Sequence, residues 1–326
     1  MTGPLAQPSM LRRMARATRQ LLAQAAPYAS HPDRINVGKN VSIHPSARFT
    51  VLDADWTQGR IALGADVYLG RQVELTAAGG GSVIIGEDTS LQDGNIIYGD
   101  VRIGAHCLFG RQVFVGSRGH NFRRHPAWLI RDQDAEALAT LPNAGPRTVI
   151  EDDCWLGQNV VVMPGVYIGR GAVVGANCVV TRDIGPYEIH GRAPNRKIGA
   201  RLEFRPPTAL HATEDSHLPY FYRGFALSQA ALTRSREQDA VTALGEACLV
   251  LAGAEDGRLE IRGHLTGGGL RLRVNGAQRP VEAQGNFVIH ADISPADDTR
   301  PAPLQGYTLV ELAAEGDLSV TTASIS

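Results

Sequence analysis

The chain has 326 residues, with 32 Lys and Arg against 33 Asp and Glu for a formal net charge of −1, and 43% of its residues are hydrophobic. That length accommodates one large core and a second small unit, while the near-zero charge provides no global positive field to hold nucleic acid or an anionic membrane surface. Cys107, Cys154, Cys178 and Cys248 stand apart without CxxC or Cys/His metal spacing, and no apolar run reaches the roughly 18 residues that span a bilayer, so no disulfide framework, metal or stable membrane insertion is expected and the cytoplasm is the expected location.

In chain order, the first candidate element is a basic helix over residues 8–26, ending at Pro27. Arg12, Arg13, Arg16 and Arg19 precede Leu21 and Leu22, but Gln20 and Gln24 interrupt the apolar stretch that a targeting peptide needs. Residues 1–34 are read as a helical cap over an open β edge.

From Val37 a six-residue period takes over. Its aliphatic or aromatic position falls at Val37, Ile43 and Phe49, at Leu63, Leu69 and Leu75, and from Ile85 through Leu91, Ile97, Ile103, Phe109 and Val115. After a break it resumes at Ile150 and runs through Leu156, Val162, Ile168, Val174 and Val180. Four positions after most of them stands a small or β-branched residue, including Val41, Val67, Thr89, Cys107, Cys154 and Cys178. A period of six fits neither helical spacing nor simple alternation. It fits short strands joined by tight corners, three to a coil, with the aliphatic residues stacked inside a triangular prism. The three cysteines in this phase are then compact core hydrophobes.

Asn95 occupies a small inward position, and a buried amide must find partners, as in a structural ladder. Between Val115 and Ile150 the period lapses, and the excursion over 121–148 is longer than a corner requires. Extending the phase from Val115 puts Gly119 inward and His120 on the outer surface at the root of the loop. An imidazole there suits general-base work on a weakly acidic hydroxyl. His125, Trp128, Arg131, Asp132, Asp134 and Glu136 share the loop and are secondary pocket candidates. Trp155 falls on the outside by phase, where it needs a partner.

The densest stretch, IEDDCWLGQNVVVMPGVYIGRGAVVGANCVV over 150–180, resembles the signature of the hexapeptide-repeat acyltransferases, with VFVGSRGHNF similar to the catalytic-histidine segment of galactoside and maltose O-acetyltransferases. Polysaccharide O-acetyltransferases belong to the same circle. The resemblance covers about residues 35–200 and implies a left-handed parallel β-helix, assigned here to residues 35–205. It further implies acetyl-CoA as co-substrate, a homotrimer with the active site between adjacent prisms, His120 as catalytic base, Trp155 at the active-site mouth, and Asn95 or Asp93 on the acceptor, most simply a saccharide. Coil faces around Gly157, Gly175 and Ala176 would admit the pantetheine arm, with their amides on its carbonyls; Thr181, Arg182, Arg196 and Lys197 would meet the nucleotide phosphates. The ending His190–Ile198 departs from the family pattern, since Asn195 follows Pro194 and the spacing from Gly191 is one residue longer.

Past Pro206 and Pro207 the hexad is gone. Short β-prone runs, with Asn275–Gly276 as a hairpin turn after Leu270–Val274, predict a small antiparallel sandwich in a 206–326 domain. Three readings compete with O-acetyl transfer: N-acetylation of an amino sugar, a noncatalytic trimeric scaffold that binds glycan, and a zinc enzyme resembling gamma-class carbonic anhydrases. The last lacks a third histidine near position 97, where Ile96–Ile97–Tyr98 stands.

Overall fold

The computed structural model describes residues 31–52, 59–140, 146–253, 257–293 and 300–326; the helix expected over 8–26 lies outside the described residues. The chain divides into two units, one holding the hexad repeats up to Ile184 and returning over 188–201, the other holding 185–187 and 202–326.

In the first unit the hexads form a β-helix of three parallel sheets. Face one stacks β1 (Ile35–Val37), β4 (Ile61–Leu63), β7 (Val83–Ile85), β10 (Val101–Ile103), β13 (Thr148–Ile150) and β16 (Tyr167–Ile168). Face two stacks β2 (Ser42–Ile43), β5 (Tyr68–Leu69), β8 (Ser90–Leu91), β11 (Leu108–Phe109), β14 (Trp155–Leu156) and β17 (Val173–Val174). Face three stacks β3 (Arg48–Leu52), β6 (Glu74–Ala78), β9 (Ile96–Gly99), β12 (Phe114–Gly116), β15 (Val161–Val162) and β18 (Val179–Val180). The register is in phase with the sequence period: Ile85 lies between Leu63 and Ile103, and Leu156 between Phe109 and Val174. Both members of each hexad point inward, so Ile97, Val115, Cys107, Cys154 and Cys178 share one continuous core.

The corners divide the labour between two residues. The residue just before the small inward position takes the left-handed conformation, as at Asn40, Asp66, Asp88, His106, Asp153, Asn159 and Asn177, where short polar side chains tolerate positive φ best. The glycine after the aliphatic residue does something else. A Cβ on Gly64 would stand 2.5 Å from the amide nitrogen of Glu87, and one on Gly86 2.5 Å from that of Ala105. These glycines let one coil sit directly on the next. Outward aspartates staple neighbouring coils: Asp93 accepts from the Arg71 amide at 2.9 Å and Asp152 from that of Ala105 at 3.0 Å. The stack ends with β19 (Glu188–Gly191) added in parallel to β17 and β20 (Arg196–Ala200) turned back antiparallel.

The second unit is antiparallel. β23 (Val241–Ala252) pairs through its start with β29 (Asp317–Ile325) and through its end with β28 (Tyr307–Ala314), so it belongs to two sheets. One continues through β24 (Gly257–Thr266) and β27 (Gly285–Ile293), the other through β25 (Leu270–Val274) and β26 (Ala277–Arg279), while β21 (Ala209–His211) pairs with β29 and β22 (Phe221–Phe225) with β23. Asn275 and Gly276 both hold positive φ, 52° and 83°, as the tight β25–β26 hairpin requires. Among the described residues no helix is long and apolar enough to cross a membrane.

Candidate active site

The chain leaves the prism after β12, at the edge between faces three and one, and returns at β13. The root of this arm is pinned from both sides: the Thr148 hydroxyl donates to the Gly116 carbonyl at 2.7 Å and accepts from the Gly165 amide at 2.9 Å. Ser117 is buried and its hydroxyl accepts from the Asp100 amide at 2.5 Å. There the hexad phase ends. Gly119 was expected inside the prism; it is exposed, with nothing within 4 Å of where a Cβ would stand. His120 therefore points outward because the chain has already departed from the coil.

The stretch expected as a loop contains α1 (Ile130–Thr140). Gln133, buried on its inner side, accepts from the His125 amide at 3.1 Å and donates to the Trp128 carbonyl at 3.3 Å, folding residues 125–128 back onto the helix. The His125 ring stacks on Trp128, centroids 4.2 Å apart. The turn is closed by its own hydrogen bond from the Trp128 amide to the His125 carbonyl at 2.8 Å and tied to the helix by one buried amide.

That fold sets His120 against Asp134. Nδ1 of His120 lies 2.5 Å from one carboxylate oxygen of Asp134, and the other oxygen accepts from the backbone N–H of Asn121 at 2.7 Å. The Asn121 amide and, after it, the imidazole hold the Asp134 carboxyl below the usual carboxylate range. A carboxylate on Nδ1 selects the tautomer that carries its proton there and leaves the Nε2 lone pair free. The His120 side chain is 80% exposed, against 26% for Asp134, so the ring is reachable while its anchor is held by the arm. This dyad was not legible as a pair: thirteen intervening residues follow no helical or strand spacing, and Gln133 carried no signal at all.

The remaining candidates fall on two edges and one face. Thr181 and Arg182 are exposed at the same edge as the arm, two coils beyond its root, or about 10 Å at the usual strand separation. Asp93, Gly157, Gly175 and Ala176 lie along the edge between faces two and three. Between these edges face three presents Ile96, Phe114, Val161 and Val179 outward. Trp155, 55% exposed, sits on face two between Leu108, 57% exposed, and Val173. Within one chain it does not share a face or an edge with the arm.

The other candidates have partners or positions of their own in the coil. Asn95 is fully buried: its carbonyl accepts from the Val113 amide at 2.8 Å and its NH2 donates to the carbonyls of Gln92 and Gly110 at 2.5 and 3.0 Å. It is a corner ladder with no surface for an acceptor. The amides of Gly157 and Gly175 already donate to Val174 and His190 carbonyls at 2.8 Å, so neither is available to pantetheine. The missing side chain of Gly157 is accounted for by the coil above, where a Cβ would meet the Ala176 nitrogen at 2.6 Å. Lys197 pairs with Glu188 at 2.8 Å, and Glu188 also meets Nε2 of His190 at 2.8 Å. Arg196 is exposed. The irregular ending has a structural cause: buried Asn195 accepts from the Thr181 amide at 3.0 Å and donates to the Arg182 carbonyl at 3.2 Å, closing the last coil. Among the described residues no three His, Cys, Asp or Glu side chains converge as metal ligands.

Residues 147–182 match the family model described as bacterial transferase hexapeptide (six repeats). Chloramphenicol acetyltransferase of Klebsiella aerogenes is 37% identical over 108 residues, 31% of this chain and 51% of that protein. A putative lipopolysaccharide biosynthesis O-acetyl transferase, WbbJ, of Escherichia coli K12 is 32% identical over 128 residues, 39% of this chain and 64% of that protein. The chain spans about half the length of the chloramphenicol acetyltransferases it matches. Among solved structures, a hexapeptide-repeat acetyltransferase of Vibrio cholerae complexed with acetyl coenzyme A is 20% identical, covering 60% of this chain and 92% of that one with a TM-score of 0.36.

Proposed function

We propose that this chain, which carries the six-residue repeat of the bacterial transferase hexapeptide family, transfers an acetyl group from acetyl-CoA to a hydroxyl of a saccharide, with His120 as general base and Asp134 as its positioning residue. The observation that carries the reading is the reachable imidazole whose Nδ1 is held by an anchored carboxylate. The relatives that match part of this chain are named as acetyltransferases, which supports the acetyl donor.

A saccharide hydroxyl is too weak an acid to attack a thioester unaided. Nε2 of His120 takes its proton as the oxygen attacks the thioester carbonyl, the tetrahedral intermediate collapses, and the C–S bond breaks. CoA leaves as the thiolate and receives the proton from the imidazolium. Asp134 stabilises that imidazolium in passing and keeps the ring turned to the acceptor. Thr181 and Arg182, on the arm's own edge, are the side chains best placed for the pantetheine and nucleotide end.

A homotrimer completes the site in this reading. Trp155 and Leu108 on face two, and Phe122, Trp128, Leu129 and Ile130 on the arm, are large apolar side chains left exposed in a single chain, as expected of surfaces that meet a partner. Arm and Trp155 would then come from different protomers of one closed ring.

Chloramphenicol as acceptor is a second reading, favoured by the named relatives. Both are separated by measuring thiol release from acetyl-CoA against neutral sugars, amino sugars, acidic oligosaccharides and chloramphenicol. Turnover with a saccharide supports the proposal; turnover with chloramphenicol alone moves the acceptor, and acetyl-CoA that neither binds nor turns over removes the enzyme reading.

A further inference from the structure

None of the residues assigned to that chemistry lies in the second unit, which holds a cleft of its own. Its volume is about 120 Å³, and Arg223, Glu246, Arg271, Arg273, Gln278 and Glu311 line it. The origin of the cleft is readable in the strand register. On β25 the inward residues are Leu270, Leu272 and Val274, so Arg271 and Arg273 stand on the outer face, roughly 7 Å apart along the strand. Across the ladder Arg273 lies beside Glu311 on one side and Gln278 on the other, and Arg271 lies beside Ala313. The methyl group of Ala313 leaves a gap among long polar side chains.

The charges around this gap are not all spent. Arg223 pairs with Glu311 at 3.1 Å. Arg271 and Arg273 make no ion pair or hydrogen bond with any described residue, although both border the same cleft. Two exposed guanidinium groups on one face, two residues apart, offer the forked donors that match a carboxylate or phosphate oxygen pair.

The rest of the lining says which anion. Glu246 and Glu311 repel a compact polyanion such as inorganic phosphate, but their oxygens, with the Gln278 amide, accept and donate to hydroxyl groups. A ligand with one carboxylate and a ring of hydroxyls satisfies both sets. The volume lies well below the roughly 300 Å³ of a pocket that engulfs a small molecule, so the cleft takes a single ring, with the remainder of a longer ligand outside. We propose that this cleft is a binding site for a uronic-acid residue of an acidic saccharide, with Arg271 and Arg273 on the carboxylate and Glu246, Glu311 and Gln278 on the hydroxyls. This site stands independently of the acetyl-transfer reading, because no residue of the first unit contributes to it.

The test uses the full chain and saturation-transfer NMR, which detects millimolar binding, with tri-glucuronate, tri-galacturonate, the neutral glucose and galactose trimers, and inorganic phosphate as probes. The expected result is binding of at least one uronate trimer, at least tenfold weaker binding of its neutral counterpart and of phosphate, and at least a tenfold loss in Arg271→Gln/Arg273→Gln at unchanged melting temperature. Glu246→Gln serves as a second variant, expected to weaken the uronate and strengthen phosphate. Equal binding of neutral and acidic trimers, phosphate binding as tight as uronate, wild-type affinity in the double variant, or no binding of either uronate would overturn the proposal. Thiol release from acetyl-CoA, measured alongside with a short neutral acceptor, is expected to be unaffected by these variants, which separates failure of this site from failure of the catalytic one.

Discussion

Replacing Gly157 by alanine tests why the coils stack as they do. A Cβ there would lie 2.6 Å from the Ala176 nitrogen, 3.0 Å from its Cα and 3.1 Å from the Gly175 carbonyl carbon, all backbone atoms. No flexible side chain can give way. Reaching ordinary contact near 3.4 Å requires the two coils to part by about 0.8 Å, which would stretch the bonds from the amides of Gly157, Trp155 and Asn177, now 2.8 to 2.9 Å, past the useful range. At about 0.5–1.5 kcal/mol for each net bond, three such bonds give a loss of about 1.5–4.5 kcal/mol. For a unit of this size that lowers the melting temperature by roughly 3–18 °C. Gly119→Ala is the matched control, since nothing stands within 4 Å of its Cβ position, and a change within about 0.5 kcal/mol is expected. Scanning calorimetry with urea titration at 25 °C reads both. Equal stability of the two variants would refute the packing account, and a Gly157→Ala protein that keeps its stability but loses acetyl-CoA affinity would return that glycine to the cofactor site.

Asp134→Ala should lower kcat about 10- to 100-fold with KM for acetyl-CoA nearly unchanged, a smaller loss than the 10²- to 10⁴-fold that the base itself supplies; Asp134→Asn, able to accept only one of the two bonds, should fall between. Because the Asp134 carboxyl is held below its ordinary range, its contribution to arm stability is complete above the ordinary carboxylate pKa and is lost only as pH falls through the lowered folded value; hydrogen exchange at Asn121 down to pH 2 should show protection persisting below the ordinary range. Asn95→Leu leaves the Val113 amide and two carbonyls without their side-chain partner, so about 2–4 kcal/mol of stability should be lost in a urea titration with acceptor KM unaltered. Burial pushes the Cys154 and Cys178 thiols up, and an aromatic disulfide reagent should therefore leave both unmodified in the native protein and modify them in denaturant.

The β-helix was legible because its code is local and repeated. Each hexad must supply an inward aliphatic, a left-handed corner and a small inward residue, and the same demand recurs every six positions from Ile85 to Val115 and from Ile150 to Val180. The Asn275–Gly276 hairpin was legible for a similar reason: a two-residue turn needs positive φ at both positions. What the period could not reach is everything outside it. The phase extrapolated to Gly119 failed because Ser117 and Thr148 pin the chain where it leaves the coil. The arm's helix was missed because its buried residues are a glutamine and an alanine, Gln133 and Ala137, rather than a stripe of large apolar side chains, and the His120–Asp134 pair is a tertiary contact. Asn95 was noticed as an irregularity, but its farthest hydrogen-bond partner lies eighteen residues away, so sequence alone left open whether it faced a ligand or the backbone; Asn195 stood out only as a break in spacing.

The central claim is that the exposed imidazole of His120 removes the acceptor's proton. Its most direct measurement is single-turnover release of CoA at saturating acetyl-CoA and acceptor, in the wild type and in His120→Ala, with acetyl-CoA affinity determined separately by calorimetry. The account expects a rate about 10³-fold lower in the variant, within the range of general-base catalysis, at unchanged acetyl-CoA affinity. A variant that turns over within a factor of a few of the wild type would contradict it.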